Sequence, residues 1–299
     1  MEARCIVGDY ANYGRDLFRA AGIVYVVICV IALLLALWLP KGAWGKVITT
    51  GVVLALALIL PLQARQEAAQ TQVKADVVKA RYEKAKALFD ERCKTAGEKI
   101  YRTVEDVDGV LLLKVRPDKI NFSDQYAMND PYGTDYGGDG YPASMLWGRN
   151  EKGELSGTIK KESTYKFVVT KPYREEKYFR FELGKPKSNG ELETIKTTSA
   201  ITPRFGVNFE DISSRIDREN WIAGSRLQVL DSKTGDVLGE RIGWMLDPGL
   251  GDTTGGRSPW AYAAYNACPS FPKLHGRYPV QEGQTRNFVE KILKPIKGK

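Results

Sequence analysis

At 299 residues, with 43% hydrophobic and 27% charged side chains, the chain has room for one large domain or two small ones. Its net charge of +8 suggests a nucleic-acid binder, but the distribution argues against one. Residues 63–103 carry ten Lys/Arg against six Asp/Glu and residues 286–299 five against one, whereas residues 104–285 carry 24 against 26. A nucleic-acid surface would place a basic, aromatic-interleaved face on the folded domain. A juxtamembrane excess instead fits anionic headgroups, which attract Lys and Arg at about 1 kcal/mol each.

In chain order, residues 1–19 form a polar leader with Arg4, Arg15 and Arg19. From Ala20 to Pro40 no residue is charged, and a second uncharged run extends from Val47 to Ala64. A bilayer core needs roughly 20 apolar residues in a helix, with about 17 tolerated. Trp38 and Trp44 flank the short connection, where indoles favour the lipid–water boundary. Residues 20–64 therefore read as a transmembrane helical hairpin. A cleaved signal peptide would have a shorter apolar region and a small-residue cleavage site.

Residues 65–102, rich in Ala, Lys, Glu, Gln and Arg, read as a membrane-proximal helix with Val73, Val77, Tyr82, Ala85, Phe89 and Cys93 near one stripe. Sustained a/d heptads are missing, which argues against a coiled coil. From residue 103 to 299, short runs rich in Val, Ile, Tyr, Phe and Thr alternate with turn clusters, the pattern of a β-rich domain. In "KYFRFEL", Tyr178, Arg180 and Glu182 share one face and Phe179, Phe181 and Leu183 the other. "SRLQVLDSKTGDVLGERIGWML" reads as a hairpin with Gly235 at its turn. Phe288, Val289, Ile292 and Leu293 predict a terminal helix at about residues 284–294. The fold expected is a membrane-anchored α+β protein: helical hairpin, helical stalk, then a predominantly antiparallel β domain.

Five stretches invite a chemical reading. "GDTTGGRSPW", residues 251–260, approaches a phosphate-binding G-x-x-x-x-G-K-[ST] loop. Arg257 stands where the lysine belongs, however, and Pro259 pushes Ser258 out of helical geometry. No nucleotide or other cofactor is expected there. "MNDPYGTDYGGDGYPASMLWG", residues 128–148, sets Asp130, Asp135 and Asp139 among glycines but lacks the EF-hand spacing. Tyr132, Tyr136, Tyr141 and Trp147 make it a candidate ligand-binding loop, since Tyr and Trp supply contact area at little entropic cost.

Asp211 and Asp217 are the carboxylates a membrane-bound hydrolase would use. Cys268 and His275, the lone histidine, could form a thiol–imidazole pair, but two prolines and an irregular stretch separate them. With four scattered cysteines and no C-x-x-C, no metal site is expected.

Cys93 and Cys268 are the only cysteines beyond the apolar runs and are candidates for a disulfide on an oxidising side. Topology pulls the other way. Arg4, Arg15, Arg19, Arg65, Lys74, Lys79 and Arg81 flank the hairpin against Lys41 and Lys46 in its turn, which favours a cytoplasmic body. The functional expectation is a tethered, non-enzymatic binding module in a bacterial inner membrane, with a protein or envelope ligand and a protective or assembly role. A carboxylate hydrolase and a subunit of a larger membrane complex are the alternatives.

Overall fold

The computed structural model describes residues 22–133, 136–149, 155–156, 164–171, 175–188 and 190–296; the polar leader and Asp135 lie outside them. The chain is α+β and divides into two compact units, Met1–Lys79 and Ala80–Lys299.

In the first unit, α1 (Gly22–Trp38) is followed across Pro40 by α2 (Ala43–Cys93). Leu, Val, Ala and Ile fill both helices as far as Leu62. The Tyr25 hydroxyl donates to the Ala57 carbonyl at 2.5 Å, and the Thr49 hydroxyl to the Ala36 carbonyl at 3.0 Å. These bonds satisfy hydroxyls that an apolar surround would otherwise penalise. α2 is long and apolar enough to cross a membrane by length and composition, and none of its most apolar 18-residue stretch is buried.

The second unit begins inside α2, not at residue 103. Ala85 and Phe89 are buried, so the last turns of the expected stalk are part of the body. The helix also stops earlier than expected. It ends at Cys93, and β1 (Gly97–Ile100) pairs antiparallel with a strand far along the chain. Gly97, at φ 140°, makes the corner.

The remaining strands are β2 (Val104–Val107), β3 (Gly109–Leu112), β4 (Gly148–Arg149), β5 (Leu155–Ser156), β6 (Phe167–Thr170), β7 (Tyr178–Pro186), β8 (Leu192–Ser199), β9 (Phe205–Asp211), β10 (Ile222–Asp231), β11 (Val237–Leu246), β12 (Ala267–Cys268), β13 (Lys273–Leu274), β14 (Tyr278–Pro279) and β15 (Leu293–Pro295). Nine of them form one mostly antiparallel sheet in the order β1-β11-β10-β9-β3-β6-β7-β8, with β12 beside β11. At its centre β3 runs parallel to both β6 and β9. All four β3 residues are buried, which is why "GVLL" shows no alternation.

The β10–β11 hairpin turns where expected, with Gly235 at φ 77° donating to the Asp231 carbonyl. Between the strands fall the short helices α3 (Gly140–Ser144), α4 (Arg215–Glu219) and α5 (Pro259–Ala263), and after them α6 (Gln284–Ile292). α6 ends two residues before the expected boundary because Leu293–Pro295 leave the helix to pair with β2.

Among the described residues two apolar cores result. Phe288, Val289 and Ile292 of α6 join Val110, Leu112, Phe181, Phe209 and Val229 in one. Ala85 and Phe89 join Trp221, Trp244, Trp260 and Tyr132 in the other.

Candidate functional site

The carboxylates that the alternative hydrolase reading would use lie at the end of β9 (Asp211) and in α4 (Asp217), and Asp217 is close to the end of α2. Ser214 caps α4 through a capping box with Asp217: the Asp217 carboxylate accepts the Ser214 N–H at 2.8 Å and its hydroxyl at 2.7 Å. Arg92, one residue before the end of α2, donates Nε to the same carboxylate at 2.9 Å. Asp217 is fully buried, and its oxygens are used in holding the helix start and Arg92.

Asp211 takes another partner. Arg218 Nη2 donates to it at 2.5 Å and to the Met128 carbonyl at 2.6 Å, while Nη1 donates to the Gln125 carbonyl at 3.0 Å. The Arg218 guanidinium lies 5.3 Å from the Trp260 ring centre and Arg92 5.4 Å from that of Trp244. This arrangement ties the end of α2, α4, the 125–128 segment and α5 together. In this arrangement the two carboxylates accept from arginines and from the start of α4.

The glycine-rich stretch is closed the same way. Arg257 forms a two-pronged pair with Asp247, with Nη1 to Oδ2 at 2.9 Å. Asp247, fully buried, also accepts the N–H groups of Gly249 at 3.1 Å and Gly251 at 2.8 Å. Its hydrogen bond holds Arg257 more basic than a free arginine. Ser258 is extended before Pro259 at the first position of α5. Arg257 faces a carboxylate, so the cation that a phosphate would need is already engaged.

The aromatic segment departs from its expected exposed role. Tyr132 is 4% exposed and Tyr141 1%, one in each core, and Tyr136 and Trp147 are half-buried against each other at 4.8 Å, edge to face. Tyr132 lies over Gly243, where an added Cβ would come within 2.3 Å of its ring. It also stacks on Phe271 at 4.5 Å and donates its hydroxyl to the Pro269 carbonyl at 2.7 Å. Burial pushes its phenol up to about 12.

Next to it, Arg116 is buried against Asp130, with Nε donating at 2.9 Å, and reaches the Thr285 hydroxyl at 2.8 Å. Burial alone would raise the Asp130 carboxyl, but the charge and hydrogen bonds of Arg116, helped by Ser225 and Arg241, hold it below the usual range. Two of the four aromatics, Tyr132 and Tyr141, thus wall the interior, while Tyr136 and Trp147 pack on each other half-buried.

Cys93 and Cys268 are bonded to each other, with their Cα atoms 5.7 Å apart. Cys268 is therefore no free thiol for His275, which sits at φ 49° in an exposed turn. The bond fastens the last residue of α2 to β12, opposite Trp244 of β11.

The aromatic side chains that do face outward are elsewhere. Tyr126, Tyr262, Tyr265 and Tyr278 are each at least half exposed. Composition alone does not separate these tyrosines from the buried ones. Among the described residues no group of three or more His, Cys, Asp and Glu is placed to hold a metal ion. Comparison with known proteins adds no relative: no family model, no curated protein and no solved structure matches the chain.

Proposed function

We propose that this chain is a membrane-anchored binding module. In this reading α1 and α2 cross a bilayer as a hairpin, and the β-rich body works on an oxidising face, such as the outer side of a bacterial inner membrane. The observation that carries the anchor is the unburied apolar stretch of α2. Monomeric soluble proteins rarely expose contiguous apolar patches above a few hundred Å², and α1 adds Ile23, Val27, Ile31 and Leu34, all at least half exposed. Trp38 and Trp44, each 83% exposed on either side of the turn, suit a headgroup boundary.

The Cys93–Cys268 bond supports the oxidising side, against the cytoplasmic expectation from the Lys/Arg count. Reducing compartments keep thiols reduced. The charge bias is weak by comparison, because Lys41 and Lys46 concentrate in a very short turn.

Binding is favoured over hydrolysis by the pairing of Asp217 with Arg92 and of Asp211 with Arg218. The ligand is a protein or an envelope component, met by the outward-facing tyrosines and not by the 132–147 segment.

The test is labelling of intact cells with a membrane-impermeant thiol reagent, in a Cys5→Ser, Cys29→Ser background. Labelling of Cys93 and Cys268 that appears only after reduction, and without lysis, supports the proposal. Labelling that needs lysis and no reductant places the body in a reducing compartment and overturns it.

A further inference from the structure

From Ser258 to Gln281 the chain contains no Asp or Glu, but it does contain Lys273, His275 and Arg277. Two strands within this stretch, β13 and β14, pair antiparallel, with Leu274 opposite Tyr278. His275 and Gly276 are both left-handed, at φ 49° and 70°, and the Arg277 N–H closes the turn on the Leu274 carbonyl at 3.0 Å. Positive φ at both central positions gives a turn whose twist matches that of its strands. The tip is therefore a shaped hairpin that holds its side chains out, and every residue from Pro272 to Tyr278 is exposed.

The hairpin is not isolated. β14 rests against the short 3-10 turn Ala264–Asn266, which carries Tyr265. The Tyr265 ring lies 6.3 Å from that of Tyr262. Leu274 (43% exposed), Tyr278 (57%), Tyr262 and Tyr265 (50% each) are thus outward-facing on neighbouring elements, with Lys273 and Arg277 exposed on the same hairpin. The nearby cation Arg257 is already paired with Asp247, so the charge on offer comes from the hairpin.

We propose that this hairpin and its tyrosines dock on an anionic phospholipid surface. Phenols with one apolar and one wet end sit at headgroup depth. Lys273 and Arg277 would meet lipid phosphates in a negative surface potential. The absence of Asp and Glu from this stretch fits such a surface, since a negative headgroup layer repels exposed acids close to it. The choice of a bilayer as partner rests on the membrane-span reading, but the two can fail separately.

The test reconstitutes the full chain in nanodiscs of neutral phosphatidylcholine and measures co-flotation with separate vesicles, either neutral or containing about 30 mol% phosphatidylglycerol. Capture is expected on the anionic vesicles only, and it should weaken as salt rises above about 0.1 M. Lys273→Glu with Arg277→Glu should lower it about tenfold or more. Leu274→Ser with Tyr278→Ser should lower it even at low salt, while Lys233→Glu, on the β10–β11 turn, should leave it unchanged.

Equal capture on neutral vesicles, or undiminished capture of both double variants, overturns the proposal. So does a photo-crosslinker at position 278 that labels only protein in native membranes. A chain that stays out of nanodiscs removes the span reading, and its capture on anionic vesicles is then measured directly. A chain that enters nanodiscs but is not captured removes the docking alone.

Discussion

Arg92, in the last turn of the long helix, donates to the carboxylate of Asp217, which is fully buried at the start of α4 and separated from it by 125 positions. Within the second unit, one ion pair therefore fastens the last turn of α2 to the sheet domain. Removing one member of a buried pair costs about 3–5 kcal/mol, because the survivor keeps its desolvation penalty. Arg92 is 38% exposed, which places the cost nearer the low end. Asp217→Ala is expected to destabilise by about 3 kcal/mol, read as a lower melting temperature in detergent. Asp217→Asn, which can still accept from Ser214, should lose less. A variant at full stability would mean that the pair contributes nothing.

The disulfide sets a second expectation. Cys93 and Cys268 close a loop with a sequence separation of 175. In the chain-entropy view such a closure is worth about 5 kcal/mol, and measured values often fall below it. Reduction, or Cys93→Ser with Cys268→Ser, should lower the melting temperature clearly. Identical melting curves with and without reductant would show that the bond adds no stability.

Gly243 supports a sharper substitution. Its missing side chain leaves room for the Tyr132 ring, and an added Cβ would lie 2.3 Å from it. Gly243→Ala is expected to cost about 1–3 kcal/mol through overpacking. Gly235→Ala, at an open turn, carries only the strain of its positive φ, about 1 kcal/mol. Equal loss at both positions, measured by denaturation in detergent, would refute the packing account.

Tyr132 also gives a pH dependence. Its phenol titrates at about 12 in the fold, above the unfolded value of about 10. The folded state therefore binds more protons in this window. The corresponding stability is complete below pH 10 and falls as pH rises toward 12, by about 2–3 kcal/mol in all. Tyr132→Phe should start lower, having lost the bond to Pro269, yet decline less steeply across that range. Parallel slopes for the two proteins would count against the assignment. Asp130 acts with the opposite sign: its lowered carboxyl adds stability above the ordinary carboxylate range, and that stability is lost as pH falls through its folded value.

Much of this architecture could be read from local pattern. The uncharged runs before residue 65, the Gly235 turn and the α6 stripe of Phe288, Val289 and Ile292 depend on neighbours a few residues away. What could not be read depends on contacts between distant segments. β1 is a strand because β11 lies beside it, although Gly97–Ile100 follows directly on helix-forming sequence. "GVLL" carries no sign that its partners on both sides run parallel to it.

The aromatic residues were hardest to sort. Tyr132 and Tyr278 are alike in type and flanked by similar turn residues, yet one fills the space above Gly243 and the other faces out from a hairpin. For Asp217, the capping box with Ser214 was not read from the sequence, and nothing local named Arg92. A better signal for the surface patch was the run from Ser258 to Gln281 without an acidic residue, visible in the sequence but meaningful only once its exposure was known.

The sulfur link between the end of α2 and β12 also governs what a protease can do to this molecule. It turns residues 94–267 into a closed covalent circuit with a single point of attachment. One cut anywhere in that circuit opens the ring and releases nothing, because both new fragments stay fastened at Cys93. Cuts confined to that circuit would free a piece of the body only in pairs or with loss of the link, so a chain nicked there should migrate intact on a non-reducing gel and separate into two pieces only under reduction.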